Sequence, residues 1–230
     1  MYPADPFLEG RLLLIDKPLH WTSFQAVNKI KWGIRKKLGI KKIKVGHAGT
    51  LDPLATGLLL VCTGKFTKKI PELQEQVKEY TGIFTLGATT PSYDMETEID
   101  HTFDTSHITE DLIRDTATRF LGETEQRPPV FSALKKEGKR LYEFAREKQP
   151  VEVPPRNIHI TAFEITRLPL PEVHFRVVCS KGTYIRSLAH DFGKALHSGA
   201  YLSELRRTRI GAYSVAEAIT PEAFVTRLGQ

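Results

Sequence analysis

An α+β fold on a central sheet that is mixed or largely antiparallel is what three features of these 230 residues predict. Strand-like and helix-like hydrophobic patterns are interspersed without strict alternation. Two late segments alternate apolar with polar residues, Ile158 and Ile160 in one and Val173, Phe175, Val177 and Cys179 in the other, the period of half-buried strands. Several stretches carry apolar residues at helical spacing behind capping residues.

Along the chain, residues 11–15 read as a buried strand. Thr22-x-x-Gln25 is a capping box opening a helix with apolar positions at Phe24, Val27, Ile30, Ile34 and Leu38. Residues 57–62 read as a strand, 65–76 as a helix and 79–87 as a strand. Residues 109–121 start with acidic side chains and carry Leu112, Ile113, Ala117, Phe120 and Leu121, as a capped amphipathic helix should. Helices follow at 140–147 and 184–196, and a short helical tail at 221–228. The chain has neither repeats nor low-complexity tracts.

The length fits one large domain or two small ones, with enough chain to bury a sizeable core. A net charge of +6 and a pI near 9.2 fit a polyanionic partner. The charges are segregated. Residues 29–44 hold eight basic and no acidic side chains, interleaved with Ile30, Trp32, Ile34, Leu38, Ile40 and Ile43, whereas residues 94–111 hold seven acidic side chains and no Lys or Arg. The pattern reads as one face toward RNA and one away from it, or as solvated helix faces.

Only Cys62 and Cys179 occur, each ending an apolar run, so buried reduced thiols are expected rather than a disulfide framework. No zinc-ligand spacing is present and no metal site is expected. The N-terminus lacks the basic start and apolar core of a secretion signal, and no apolar run approaches the ~20 residues that span a bilayer. A soluble cytoplasmic protein is expected.

The segment Gly46-His47-Ala48-Gly49-Thr50-Leu51-Asp52-Pro53-Leu54-Ala55-Thr56-Gly57 is the most informative. It sets one carboxylate, Asp52, among small and turn-forming residues, five positions after His47 and just ahead of the apolar run Leu58-Leu59-Leu60-Val61. Glycines admit positive φ and close backbone approach, and Pro53 holds Asp52 out of the helical region, so the loop is pre-shaped. By itself it reads as a tight surface turn with a capping Asp. A phosphate cradle would need the Gly-Lys-Ser/Thr ending that is missing.

The whole string resembles the catalytic motif of the TruB family of tRNA pseudouridine synthases. Other segments resemble that family in the same order: Lys17-Pro18 with Thr22-Ser23, Lys78-Glu79-Tyr80, Arg127-Pro128-Pro129-Val130-Phe131-Ser132-Ala133-Leu134-Lys135 running on to Gly138 and Leu141-Tyr142, then Cys179-Ser180-Lys181-Gly182-Thr183-Tyr184-Ile185-Arg186-Ser187-Leu188, and residues 202–207. The similarity spans roughly residues 10–212. It implies the pseudouridine synthase fold with flanking helices and an active-site cleft, a single catalytic domain over 1–230, and a mobile RNA-gripping segment at about 123–155.

The resemblance also implies roles. Asp52 is the catalytic carboxylate, a nucleophile or a base, with Arg186 as its counter-charge. Tyr80 is catalytic as well, stacking on the flipped base and handling the proton released from carbon 5; His47 props or fills the space the base vacates, and Tyr184 and Leu205 line the uracil pocket. Taken singly, the alternatives are a phosphate contact or surface ion pair for Arg186, a turn residue for His47, and core packing for Tyr184 and Leu205. Lys17, Lys68, Lys41 and Lys42 are expected on RNA phosphates. The isomerisation changes no oxidation state, so no cofactor is expected. The implied partner is tRNA, through its T-arm, and the implied target is the T-loop uridine at position 55, with a monomer the simplest assembly. A non-catalytic tRNA-folding module and a synthase for another RNA are the alternatives.

Two departures from the family pattern stand out. Members commonly continue into a C-terminal RNA-binding domain of the PUA type, whereas the tail after Gly211-Ala212-Tyr213 is too short to fold one, and Phe131 stands where Tyr is frequent.

Overall fold

The computed structural model describes residues 5–132, 134–136, 138–147, 151 and 153–229. Ala133 of the RNA-gripping motif and the start of the N-terminus lie outside them. In chain order the elements are α1 (Pro6–Glu9), β1 (Leu12–Lys17), α2 (Ser23–Leu38), β2 (Val45–Ala48), β3 (Ala55–Thr63), α3 (Ile70–Glu75), β4 (Lys78–Leu86), β5 (Ala88–Thr89), β6 (His101–Thr102), α4 (Glu110–Thr118), β7 (Gly122–Gln126), β8 (Lys135–Lys136), β9 (Lys139–Arg140), α5 (Leu141–Arg146), β10 (Arg156–Arg167), β11 (Glu172–Cys179), α6 (Ile185–Ala195), β12 (Ala200–Ile210), β13 (Tyr213–Ser214) and α7 (Pro221–Gly229). The class is α+β with a mixed sheet, as expected. The chain forms two compact units, one of Met1–Tyr80 with Leu205–Gln230, the other of Thr81–Glu204. No helix among the described residues is long and apolar enough to cross a membrane.

In the first unit β3 is the central strand. β1 pairs antiparallel along one edge, from Leu12 opposite Cys62 to Lys17 opposite Gly57. Two strands divide the other edge: β12 runs parallel to residues 55–57 and β2 antiparallel to residues 60–63. Both faces of β3 are covered, which is why it reads as an unbroken apolar run. Leu59 and Val61 pack with Ile15, Ile30, Ile34 and Phe224, while Leu58, Leu60 and Cys62 face Ala48, Leu73 and Ile210. The side chains thus alternate between two cores.

Helix α2 carries the predicted capping box, Thr22 accepting from the Gln25 main chain while the Gln25 side chain accepts from Thr22, and ends at Gly39 in the left-handed region. Its buried stripe is Ser23, Ala26, Val27, Ile30, Gly33 and Ile34. Phe24, expected on that face, is 69% exposed, because it stands one residue, about 100° of rotation, off the stripe. Gly33 is needed where α7 crosses, since a Cβ there would stand 2.9 Å from Val225 Cγ2. The single helix expected at 65–76 is instead a 3₁₀ helix over Gly64–Lys69 followed by α3, whose second residue, Pro71, has no N–H to continue an earlier ladder.

The second unit orders its strands β12-β4-β11-β10-β7, with β10 antiparallel to both neighbours. Its core is aromatic. Phe84 lies 4.2 Å from Phe175 between ring centroids, 5.7 Å from Phe192 and 6.2 Å from Phe163. Cys62 and Cys179 are both buried, and burial pushes the Cys62 thiol up to about 11.

Replacing a fully buried ring that touches three others removes its transfer energy and leaves a cavity. Phe84→Ala is therefore expected to cost about 3–5 kcal/mol, read as a lowered urea midpoint, and Phe84→Leu distinctly less. Equal midpoints for Phe84→Ala and the parent protein would show that the aromatic cluster does not hold this unit together.

Candidate active site

The loop from Gly49 to Leu54 leaves β2 and enters β3, and Asp52 lies partly buried at its turn, where Ala55 N–H donates to the Asp52 carbonyl at 3.1 Å. The first turn of α2 fastens the loop. Ser23 Oγ accepts from Leu51 N–H at 2.9 Å and donates to Leu51 O at 3.1 Å. Gly57 has φ +103°, and a Cβ there would strike the Arg207 main chain, so the parallel pairing of β3 with β12 needs glycine at this position.

Arg207 comes from β12 and is 1% exposed. Its Nε donates to Leu58 O at 2.8 Å, and its two terminal nitrogens donate to Gly49 O at 3.0 Å and Thr50 O at 3.4 Å. The guanidinium thus satisfies carbonyls on both the Asp52 loop and the strand that follows it. Nothing in the sequence gives Arg207 a role by itself; the signal available is a double arginine closing the 202–207 motif, with Arg206 taken up by a bidentate pair to Asp16 at 2.8 and 3.0 Å.

Lys17 is placed differently from its expected role on RNA phosphates. It is fully buried at the end of β1, and its ammonium donates to Trp21 O at 2.6 Å and Pro18 O at 3.0 Å. Its inward β1 position leaves the ammonium no route to solvent. Burial lowers its pKa to about 8, with the Asp52 carboxylate opposing that change and Arg207 adding to it. His47 sits on β2 opposite Val61 and is held below its ordinary pKa by burial first and then by the Arg207 charge, so it is neutral at pH 7.

Tyr80 on β4 is almost wholly buried, and Leu205 on β12 pairs with Ala55, three residues beyond Asp52. Glu79 is fixed beside Tyr80 by Thr208, whose hydroxyl donates to its carboxylate at 2.7 Å. The first unit therefore gathers Lys17, His47, Asp52, Leu205 and Arg207 around one loop. Lys41, Lys42 and Lys68 are exposed on the same unit.

In the second unit, Arg186 opens α6 and is 4% exposed. One terminal nitrogen donates to Phe131 O at 2.8 Å and to Ser92 O at 3.3 Å, while Nε lies 3.6 Å from a carboxylate oxygen of Asp94. Asp94 is buried as well, and its own carbonyl accepts from Thr90 and Ser92 hydroxyls. In the sequence Asp94 is one of seven acids in an acidic stretch, which hid it. Tyr184 caps the same helix: its N–H donates to Gln126 Oε1 at 2.8 Å and its carbonyl accepts from Gln126 Nε2 at 3.0 Å. Ser187 Oγ donates to Arg127 O at 2.7 Å. Residues 126–131 are thus laid along the start of α6 by the Gln126 side-chain amide and the carbonyls of Arg127 and Phe131, and the Phe131 contact to Arg186 uses its carbonyl and needs no ring hydroxyl.

Residues 35–185 match the sequence pattern of the TruB family pseudouridylate synthase N-terminal domain, and residues 186–228 that of the tRNA pseudouridylate synthase B C-terminal domain. The protein named tRNA pseudouridine synthase B in Flavobacterium johnsoniae is 66% identical over 216 residues, which are 94% of this chain and 94% of that protein. That of Phocaeicola vulgatus is 54% identical over 224 residues, 97% of this chain and 95% of that one. A solved chain from an H/ACA RNP bound to a substrate RNA containing 2'-deoxyuridine is similar with a TM-score of 0.68 and 30% identity, covering 96% of this chain and 53% of the other. This chain therefore spans about half the length of that solved chain.

The Lys17 ammonium titrates at about 8 in the fold and at its ordinary 10.5 when unfolded. Below pH 8 it is protonated in both states, and above 10.5 in neither. Between them the unfolded chain holds the extra proton, so this group makes stability rise with pH. Urea unfolding of the parent protein and Lys17→Met across pH 7 to 11 is expected to show the parent gaining stability relative to the variant between about 8 and 10.5; parallel curves would contradict the assignment.

Proposed function

The chain belongs to the TruB family of pseudouridylate synthases, and from that premise we propose that it converts the T-loop uridine at tRNA position 55 to pseudouridine. The observation that carries the proposal is the Asp52 loop: one carboxylate on a turn bonded through its main chain to Ser23 and Arg207, inside the motif of the family. Isomerisation breaks the C–N glycosidic bond, turns the base and makes a C–C bond to the same sugar. The step needs an ionised carboxylate at the anomeric carbon, and Asp52 supplies it as nucleophile or base.

A base within a folded loop is out of reach, so the uridine is flipped out of its stack at a cost of a few kcal/mol. Stacking on the Tyr80 ring returns ~1–3 kcal/mol of that. Neutral His47 fills the vacated space without adding charge, Leu205 and Tyr184 bound the uracil, and Arg186 supplies the counter-charge to the carboxylate. Exposed Lys41, Lys42 and Lys68 meet phosphates, the segment at about 123–155 grips the T-arm, and residues 1–230 act as one catalytic domain in a cytoplasmic monomer.

The test is to incubate purified protein with unmodified tRNA transcript, adding neither metal nor cofactor, and to map pseudouridine at single-nucleotide resolution. Conversion confined to the T-loop is expected. Asp52→Asn should keep tRNA affinity within about twofold while turnover falls ~10⁴-fold or more, as losses of a lone reacting group do. Conversion surviving in that variant would remove Asp52 from the chemistry.

A further inference from the structure

Helix α2 has a second face that the core does not use. Gln25, Lys29, Trp32 and Lys36 follow one another at steps of four, three and four, so they form one ridge, with Phe24 and Asn28 beside it. Trp32 is 50% exposed and Phe24 69% exposed. The Lys29 and Lys36 ammonium groups stand 5.7 and 5.1 Å from the Trp32 ring centroid. Trp21, Phe24, Gln25, Asn28 and Lys29 line a shallow groove of about 380 Å³ at the helix start. The helix carries five cations and no acidic residue.

We propose that this face is a stacking platform for unpaired nucleotides of the RNA substrate outside the target loop, a surface that rests on the reading of the chain as an RNA-modifying enzyme. A face that needed only phosphates would carry lysines and arginines alone, and a protein-binding face of this size would leave its centre free of charge. Here large exposed aromatics are flanked by cations, the composition with which proteins hold single-stranded nucleic acid. Phe24 and Trp32 are eight residues and ~12 Å apart along the axis, which spaces two ring contacts along one strand. A cation over an exposed ring is held more weakly than a base stacked on it, so an incoming base displaces a lysine, which stays beside the adjoining phosphate.

The chain has two tryptophans, so Trp32→Phe leaves Trp21 as the sole tryptophan and separates their emission. A short unstructured RNA strand is expected to quench Trp32 fluorescence, and a blunt RNA duplex of equal charge is not. For unmodified tRNA transcript, Trp32→Ala should raise KM about tenfold at unchanged kcat, Trp32→Phe should restore most of the loss, and the salt dependence should be the same in all three because the cations remain. Equal quenching by strand and duplex, Trp32→Ala within twofold of the parent, or quenching by phosphatidylglycerol vesicles in place of RNA would each overturn the platform. The two readings fail separately: a parent protein that makes no pseudouridine but shows strand-specific quenching loses the proposed reaction and keeps the platform.

Discussion

The buried guanidinium of Arg207 is the contact on which the Asp52 loop of the first unit depends. Along one edge of β3 the partner changes from β12, opposite residues 55–57, to β2, opposite residues 60–63. Between them the edge is left without a continuous ladder, and buried carbonyls with no donor there would be costly. Arg207 reaches across that break, bonding Leu58 O on the strand and Gly49 O and Thr50 O on the loop. The planar fork of donors suits the task in a way that a lysine's single point charge does not. A loop that leaves one strand and enters the next is thereby given a fixed course, with Asp52 at its turn.

Burying two cations near one carboxylate carries a desolvation cost, and it is visible in Lys17. Its pKa falls to about 8, yet two main-chain carbonyls and the Asp52 charge keep it protonated at pH 7. His47 takes the other course and stays neutral, through burial first and the Arg207 charge second. The second unit treats its own guanidinium alike: Arg186 is aimed by the carbonyls of Ser92 and Phe131 and by the Asp94 carboxylate. In both units main-chain oxygens do much of the aiming, so the local course of the backbone sets the geometry of each charged group.

That dependence explains what could be read in the sequence. The Gly46–Gly57 string was legible because its glycines and proline are backbone requirements written into residue identity, as at Gly57 beneath the Arg207 main chain. The core strand β3 and the capping box of α2 were legible from period and cap chemistry. Strand β12 was not, since an inward-pointing arginine and a change of phase between Leu202 and Leu205 obscure its alternation. Asp94 and Arg207 were missed for the same reason: each is a charged residue among other charged residues, and only burial sets it apart. Lys17 was misplaced because a lysine in a basic protein reads as a surface cation until its strand is known to point inward.

Helix α2 presents two faces, one to the core and the Asp52 loop and one to solvent. Its inner stripe packs into the core, and Ser23 at its start holds the Asp52 loop by the main chain of Leu51. Its outer ridge carries Phe24, Trp32 and the lysines and takes no part in those bonds. A substitution at Phe24, Trp32 or the ridge lysines leaves the buried stripe, the capping box and the Ser23 bonds intact, so under the proposed platform it alters how RNA is held and not where the carboxylate stands. The reverse does not hold. A change at Ser23 or in the stripe moves the loop and the ridge together, because one rigid helix carries both, and such a change is expected to be felt in affinity and turnover at once.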